Sequence, residues 1–128
     1  MRNLSNLSDV YISLTDLYTY LKQYKKGEIA GMNAIKYADS LDNAFMSMRS
    51  YLSVGKLEYQ KGDTRNAIKN LKKSIEIATA DFGDAFFLSR AYKSLGAAYE
   101  KNGDFQMAYT AFKKYDTLRS TVFTAESD

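Results

Sequence analysis

Histidine, cysteine, proline and tryptophan are all absent from this chain of 128 residues. Without cysteine there is no disulfide, no thiolate nucleophile and no cysteine-ligated zinc site. The compartment stays open, because a reduced cytosol and an oxidising periplasm both tolerate a cysteine-free chain. Without histidine, Ser-His-Asp triads, imidazole metal sites and the usual general base near neutral pH are excluded. The lack of proline, with only 7 glycines, argues against a turn-rich β-sandwich or barrel and for long uninterrupted helices. No stretch approaches the roughly 18 apolar residues of a membrane-spanning helix, and residues 1–10 lack the apolar run of a signal peptide. No membrane insertion by this chain is expected.

What is present is the composition of an ordinary globule, 45% hydrophobic and 26% charged. The length favours one domain, 1–128. The net charge of +3 is spread along the chain, whereas a nucleic-acid domain concentrates charge in a patch or stripe. The pairs Lys72-Lys73 and Lys113-Lys114 are interrupted by Glu76 and Asp116 and read as a solvated face. The 11 tyrosines fall mostly at repeated apolar positions, so they are assigned to the core and not to base stacking. Nucleic acid is therefore not an expected partner. The acidic pairs Asp39/Asp42 and Asp81/Asp84 lie at loops and helix starts, where capping explains them. No catalytic residue, metal ligand or cofactor site is assigned.

The chain repeats itself. Residues 51–78 and 92–119 align without gaps at an offset of 41, matching Tyr51 with Tyr92, Gly55 with Gly96, Gly62-Asp63 with Gly103-Asp104, Ala67 with Ala108 and Lys72-Lys73 with Lys113-Lys114. A more divergent copy, 11–38, lies 40 residues upstream. There Tyr11 and Leu14 match Tyr51 and Val54, while Thr15, Lys22-Gln23 and Gly27 replace Gly55, Gly62-Asp63 and Ala67. Each copy reads as two helices, since Tyr92, Leu95, Ala98 and Tyr99 recur at helical spacing. Gly103 supplies a left-handed stop and Asp104 a carboxylate cap for the next helix, and Gly62-Asp63 does the same. Asp42 and Asp84 are the expected caps between copies. Gly55 and Ala67, and likewise Gly96 and Ala108, are expected to face each other where paired helices approach closely.

This pattern of aromatic, Leu-Gly, Tyr, Gly-Asp, Ala and aromatic resembles the tetratricopeptide repeat over about 11–119. The period of 40–41 exceeds the familiar one of about 34, and the closing proline is missing. Seven added residues make almost two helical turns and return the apolar stripe to nearly the same face. Long repeats of this kind are similar to those of kinesin light chains and bacterial peptide-sensing regulators. The segment GDFQMAYTAFKKYDTLRSTVF resembles the last repeat of Bacteroidetes sensor proteins. The resemblance implies an all-α fold, an α-solenoid of three helical hairpins (repeats about 8–40, 44–80 and 84–123), with six antiparallel helices in a right-handed superhelix.

It also implies a concave groove lined by the first helix of each repeat. Its positions here are Asp9, Ile12, Asp16, Thr19 and Tyr20, then Arg49, Leu52, Lys56, Tyr59 and Gln60, then Arg90, Lys93, Ala97, Glu100 and Lys101. The groove would run from acidic to basic. Asp16, Tyr20, Arg49, Lys56, Tyr59, Arg90, Lys93 and Lys101 are the candidate peptide-binding residues, suited to an acidic peptide with apolar anchors. Arg49 and Arg90 lead, because arginine can grip a carboxylate with two hydrogen bonds. Family members that clamp a chaperone's C-terminal carboxylate use Lys, Asn and Arg side chains. Ile12, Asp16, Ser53 and Ser94 stand in four of those places and only Arg90 fits the pattern, so that ligand is not expected. The resulting expectation is a non-enzymatic protein- or peptide-binding scaffold, the sensing or interaction part of a larger bacterial regulator. The alternative is a homo-oligomer, because Tyr115, Leu118, Val122 and Phe123 carry the apolar face of the last helix to within a few residues of the end.

Overall fold

The computed structural model describes residues 4–81 and 84–127, with side chains described for 6–80 and 84–121. Six helices follow one another: α1 (Leu4–Tyr20), α2 (Tyr24–Ser40), α3 (Ala44–Lys61), α4 (Thr64–Asp81), α5 (Ala85–Lys101) and α6 (Phe105–Ser127). Each odd helix packs most extensively on the even helix that follows it, giving three hairpins. α2 then lies on α3 and α4 on α5, so the hairpins stack into an α-solenoid. α1 also runs along α3, whereas α3 and α5 meet at few positions. That difference opens the concave side between them.

Small residues set the helix separations. Ala34, Ala38, Ala67, Ala78, Ala98 and Ala108 are all buried, around the larger Met48, Leu57 and Leu71. Glycine is required where a longer side chain crosses the gap. A Cβ on Gly55 would lie 2.7 Å from Leu71 Cγ and 3.4 Å from the Ala67 carbonyl, and one on Gly96 2.8 Å from Phe112 Cδ1. The expected approach is seen for Gly55 and Ala67, but each glycine makes room chiefly for the large residue one turn beyond the alanine, Leu71 or Phe112. Buried serines tie the hairpins together. Ser8 donates to the Ala34 carbonyl from α1 to α2 at 3.3 Å, and Ser74 donates to the Met48 carbonyl from α4 to α3 at 2.9 Å. Ser8 and Met48 are equivalent repeat positions, as are Ala34 and Ser74, so the same contact recurs with the donor helix exchanged.

The turns repeat their geometry more faithfully than their chemistry. Gly62 (φ 99°) and Gly103 (φ 86°) adopt the expected left-handed conformation, and so do Lys22 (φ 60°) and Asp42 (φ 51°). In each case the next N–H bonds the carbonyl five residues back: Gln23 to Tyr18, Asn43 to Ala38, Asp63 to Glu58 and Asp104 to Tyr99, at 2.8–3.2 Å. This is the six-to-one bond of a Schellman stop. Two capping expectations are corrected. Asn43, not Asp42, caps α3, accepting from Met46 N at 3.0 Å. Asp104 turns its carboxylate to Asn102 Nδ2 at 2.8 Å. Asp63 and Asp84 do cap, the latter accepting from Phe86 N and Phe87 N.

The expected apolar face of α6 is also partly corrected. Leu118 packs on the cluster of Met48, Ala78 and Leu88, and Tyr115 lies beneath Lys93 and Arg119 at 5.6 and 5.7 Å. Val122 and Phe123 lie outside the described side chains, as does Asp81.

Candidate binding groove

α1, α3 and α5 present one concave surface, and two clefts open along it. The first, of about 300 Å³, is lined by Ile12 and Asp16 of α1, Phe45, Arg49, Leu52, Ser53 and Lys56 of α3, and Phe87 and Arg90 of α5. The second, of about 420 Å³, is lined by Thr19, Lys56, Tyr59, Gln60, Arg90, Lys93, Ser94 and Ala97. Lys56 and Arg90 border both. Six of the eight candidate residues therefore meet in one continuous groove: Asp16, Arg49, Lys56, Tyr59, Arg90 and Lys93. Tyr20 does not join them, since it lines neither cleft and stands 83% exposed. Lys101 lines neither cleft either. Its Nζ donates to the Tyr59 carbonyl at 3.1 Å and sits 4.4 Å above the Tyr59 ring, bracing the groove's edge.

The cations of the groove differ in how they are held. Arg49 already has a partner, donating from Nη1 to Asp9 Oδ1 at 2.9 Å. No carboxylate among the described residues forms an ion pair with Lys56, Arg90 or Lys93. Burial and the like charge of Arg90 hold the Lys56 ammonium below the ordinary lysine pKa, and the Coulomb attraction of Asp16 offsets part of this. A cation that is half-desolvated beside another cation gains most from an anion placed between them. The groove is acidic where Asp9 and Asp16 lie and basic from Lys56 through Arg90 to Lys93.

Phe45 and Phe87, which the repeat comparison does not single out, form an apolar end wall, edge to face with centroids 5.3 Å apart. The sequence carries a signal for Phe45, though none for Phe87. Phe45 and Phe86 are offset by 41, the repeat period, but lie ahead of the aligned window. Each is followed four residues on by an arginine that folds over its ring, Arg49 at 5.7 Å and Arg90 at 5.6 Å. The aromatic–arginine pair at helical spacing is thus a repeated device that sets both guanidinium groups on the concave side.

Clefts also lie outside the groove, towards the even-numbered helices, and two of them have apolar floors. One, floored by Val54, Leu57 and Glu58 between α2 and α4, carries mixed charge, with Lys61 bonded to Glu28. There burial raises the Glu58 pKa, Asn70 Nδ2 lowers it by donating at 2.6 Å, and Asp63 and Glu28 raise it further. The other is floored by Leu95 and Tyr99 between α4 and α6. Lys72, Lys73, Lys113 and Lys114 stand exposed. Among the described residues, no carboxylates converge into a metal-holding group, and no helix is long and apolar enough to cross a membrane.

A tetratricopeptide repeat family model matches residues 46–115. The chain is 34% identical over 83 residues, 64% of its length, to tetratricopeptide repeat protein 29 of Macaca fascicularis, of which the match covers 17%. It is 28% identical over 98% of its length to a TPR repeat-containing protein of Methanocaldococcus jannaschii, covering 21% of that protein. The chain thus spans about a fifth of the length of these relatives. Its fold is similar to the crystal structure of the TPR domain of Arabidopsis FLU, with a TM-score of 0.81, 19% identity, and coverage of 95% of this chain and 99% of that one.

Proposed function

The chain belongs to the tetratricopeptide repeat family of helical protein-interaction scaffolds, and we propose that it binds an acidic peptide segment in its concave groove without catalysing a reaction. Lys56 and Arg90 take the ligand's carboxylate where the two clefts meet, and Lys93 extends the basic track towards Tyr59. Arg49 is recruited by exchanging Asp9 for a ligand acid. The Phe45–Phe87 wall, with Ile12 and Leu52, receives an apolar anchor. The observation that carries this reading is the pairing of Lys56 with Arg90, two cations bordering both clefts that form no direct ion pair with a carboxylate among the described residues. We read the chain as the interaction part of a larger regulator, supported by relatives that extend well beyond the matched region.

Panning phage-displayed random peptides against the chain tests this. Enrichment of Asp or Glu next to Leu, Ile or Phe, with retention lost on Arg90→Glu, is the expected outcome. Enriched peptides that bind Arg90→Glu as well as the original chain would overturn it.

A further inference from the structure

The two clefts of the groove differ in what they offer an anion. The first has Asp16 in its lining together with the aromatic wall of Phe45 and Phe87. The second has Lys56, Arg90 and Lys93 in its lining and no carboxylate. Lys56 stands on α3, while Arg90 and Lys93 follow one another at i and i+3 on α5 and so share a face. The three cations therefore approach the second cleft from two walls. Arg90 lies 5.6 Å from the Phe86 ring and Lys93 5.6 Å from the Tyr115 ring, contacts that position the two side chains without neutralising them. Tyr59, Gln60 and Ser94 add hydroxyl and amide groups between them.

One ligand carboxylate does not balance this site. It carries a single charge, and shared between Lys56 and Arg90 it leaves nothing for Lys93. Lys56 is half-buried beside a guanidinium, so an under-neutralised site is costly there. A phosphoryl group carries about 1.5 to 2 negative charges at neutral pH and three strong acceptor oxygens, enough for one to face each cation. The arginine fork matches phosphate geometry, and lysine serves it as a point charge. A polyphosphate backbone does not fit as well, because Asp9 and Asp16 at the other end of the groove would repel the phosphates that follow.

We propose that the acid received by the second cleft is a phosphorylated serine or threonine of the bound segment, held by Lys56, Arg90 and Lys93, while an apolar residue of the same segment rests on the Phe45–Phe87 wall. The phosphoryl site rests on the proposed peptide groove and falls with it, whereas the groove can take a carboxylate without it. The fold also sets the spacing of the two ligand residues. Phe87 and Lys93 are six residues apart on α5, about 9 Å along the helix axis. An extended chain covers that distance in about three residues. The recognised segment thus carries its apolar anchor about three positions from the phosphorylated residue.

Three peptide libraries with random flanks, fixed at the centre as phosphoserine, aspartate or serine, test this on the full chain. The phosphoserine library should be retained about tenfold or more over the aspartate library, and aspartate over serine. The retained phosphopeptides should be enriched in Leu, Ile or Phe about three positions from the fixed residue. Lys93→Gln should bring the phosphoserine-to-aspartate ratio down towards one, and Lys73→Gln, the same charge change on α4 outside the groove, should leave it in place. Both lysines are exposed, so neither substitution disturbs the core. Equal retention of the phosphoserine and aspartate libraries, both above serine, would overturn the phosphoryl site and leave the acidic-peptide groove standing. Retention of all three at the serine level would overturn both. Equal effects of Lys93→Gln and Lys73→Gln would also overturn the proposal, since the phosphate would then be answering net charge and not this cleft.

Discussion

Lys22 holds a φ of 60° at the position where later repeats have Gly62 and Gly103. An L side chain there crowds its own backbone, at a cost of about 1–2 kcal/mol relative to the right-handed region, whereas glycine enters freely. Lys22→Gly should therefore stabilise the chain by about 1 kcal/mol, read as a raised midpoint in thermal and urea melts. A lowered midpoint would mean that Lys22 makes a compensating contact. The glycine turns were legible in the sequence because glycine advertises the conformation. Lys22 and Asp42 were not, since the six-to-one bond and neighbouring packing impose the geometry on residues that do not prefer it. Glu58 is a second residue held against its preference. Burial raises its pKa, so the folded chain binds that proton more tightly than the unfolded one does. Its contribution favours folding at pH below the carboxylate range and is lost as pH rises through that range. Glu58→Gln should raise the melting temperature at neutral pH, and the gain should vanish in acid. A gain independent of pH would assign the effect to packing and not to charge.

At the scale of the helix, the starts and stops decide the hairpin geometry. The link between α2 and α3 has two adjacent Asx residues, and the sequence alone does not say which one caps. The chain settles it by placing Asp42 in the left-handed stop, which leaves Asn43 in extended backbone with its carbonyl oxygen on Met46 N. Asn43→Ala should cost about 1 kcal/mol, measured by urea unfolding, while Asp42→Ala should act through the strained stop and leave the cap intact. Equal protection of the Met46 amide from hydrogen exchange in Asn43→Ala and the parent would contradict the assignment. The helical elements themselves were legible because period, Gly-Asp punctuation and apolar spacing agree across two copies. The aromatic lead-in to α3 and α5 was missed because Phe45 and Phe86 precede the aligned segment. Their role shows only when Arg49 and Arg90 fold back one turn onto them.

At the scale of the molecule, three stacked hairpins produce a groove because α3 and α5 separate where α1 and α3 do not. Sequence position was enough to bring Asp16, Arg49, Lys56, Tyr59, Arg90 and Lys93 onto one surface. It could not reveal which cations are already engaged, since Asp9 on Arg49 and the Tyr59 ring beneath Lys101 depend on side-chain reach. That distinction moves the weight of the account from Arg49 to Lys56 and Arg90.

The most direct measurement is a fluorescence-anisotropy titration of the strongest panned acidic peptide against the chain and its Arg90→Glu and Lys73→Glu variants at fixed ionic strength. A charge-assisted hydrogen bond is worth about 1.5–3 kcal/mol, so Arg90→Glu should weaken binding roughly 10- to 100-fold. Lys73→Glu, which changes net charge equally on the far side, should move it little. Equal losses in the two variants would contradict the account, because only overall charge would then be attracting the peptide.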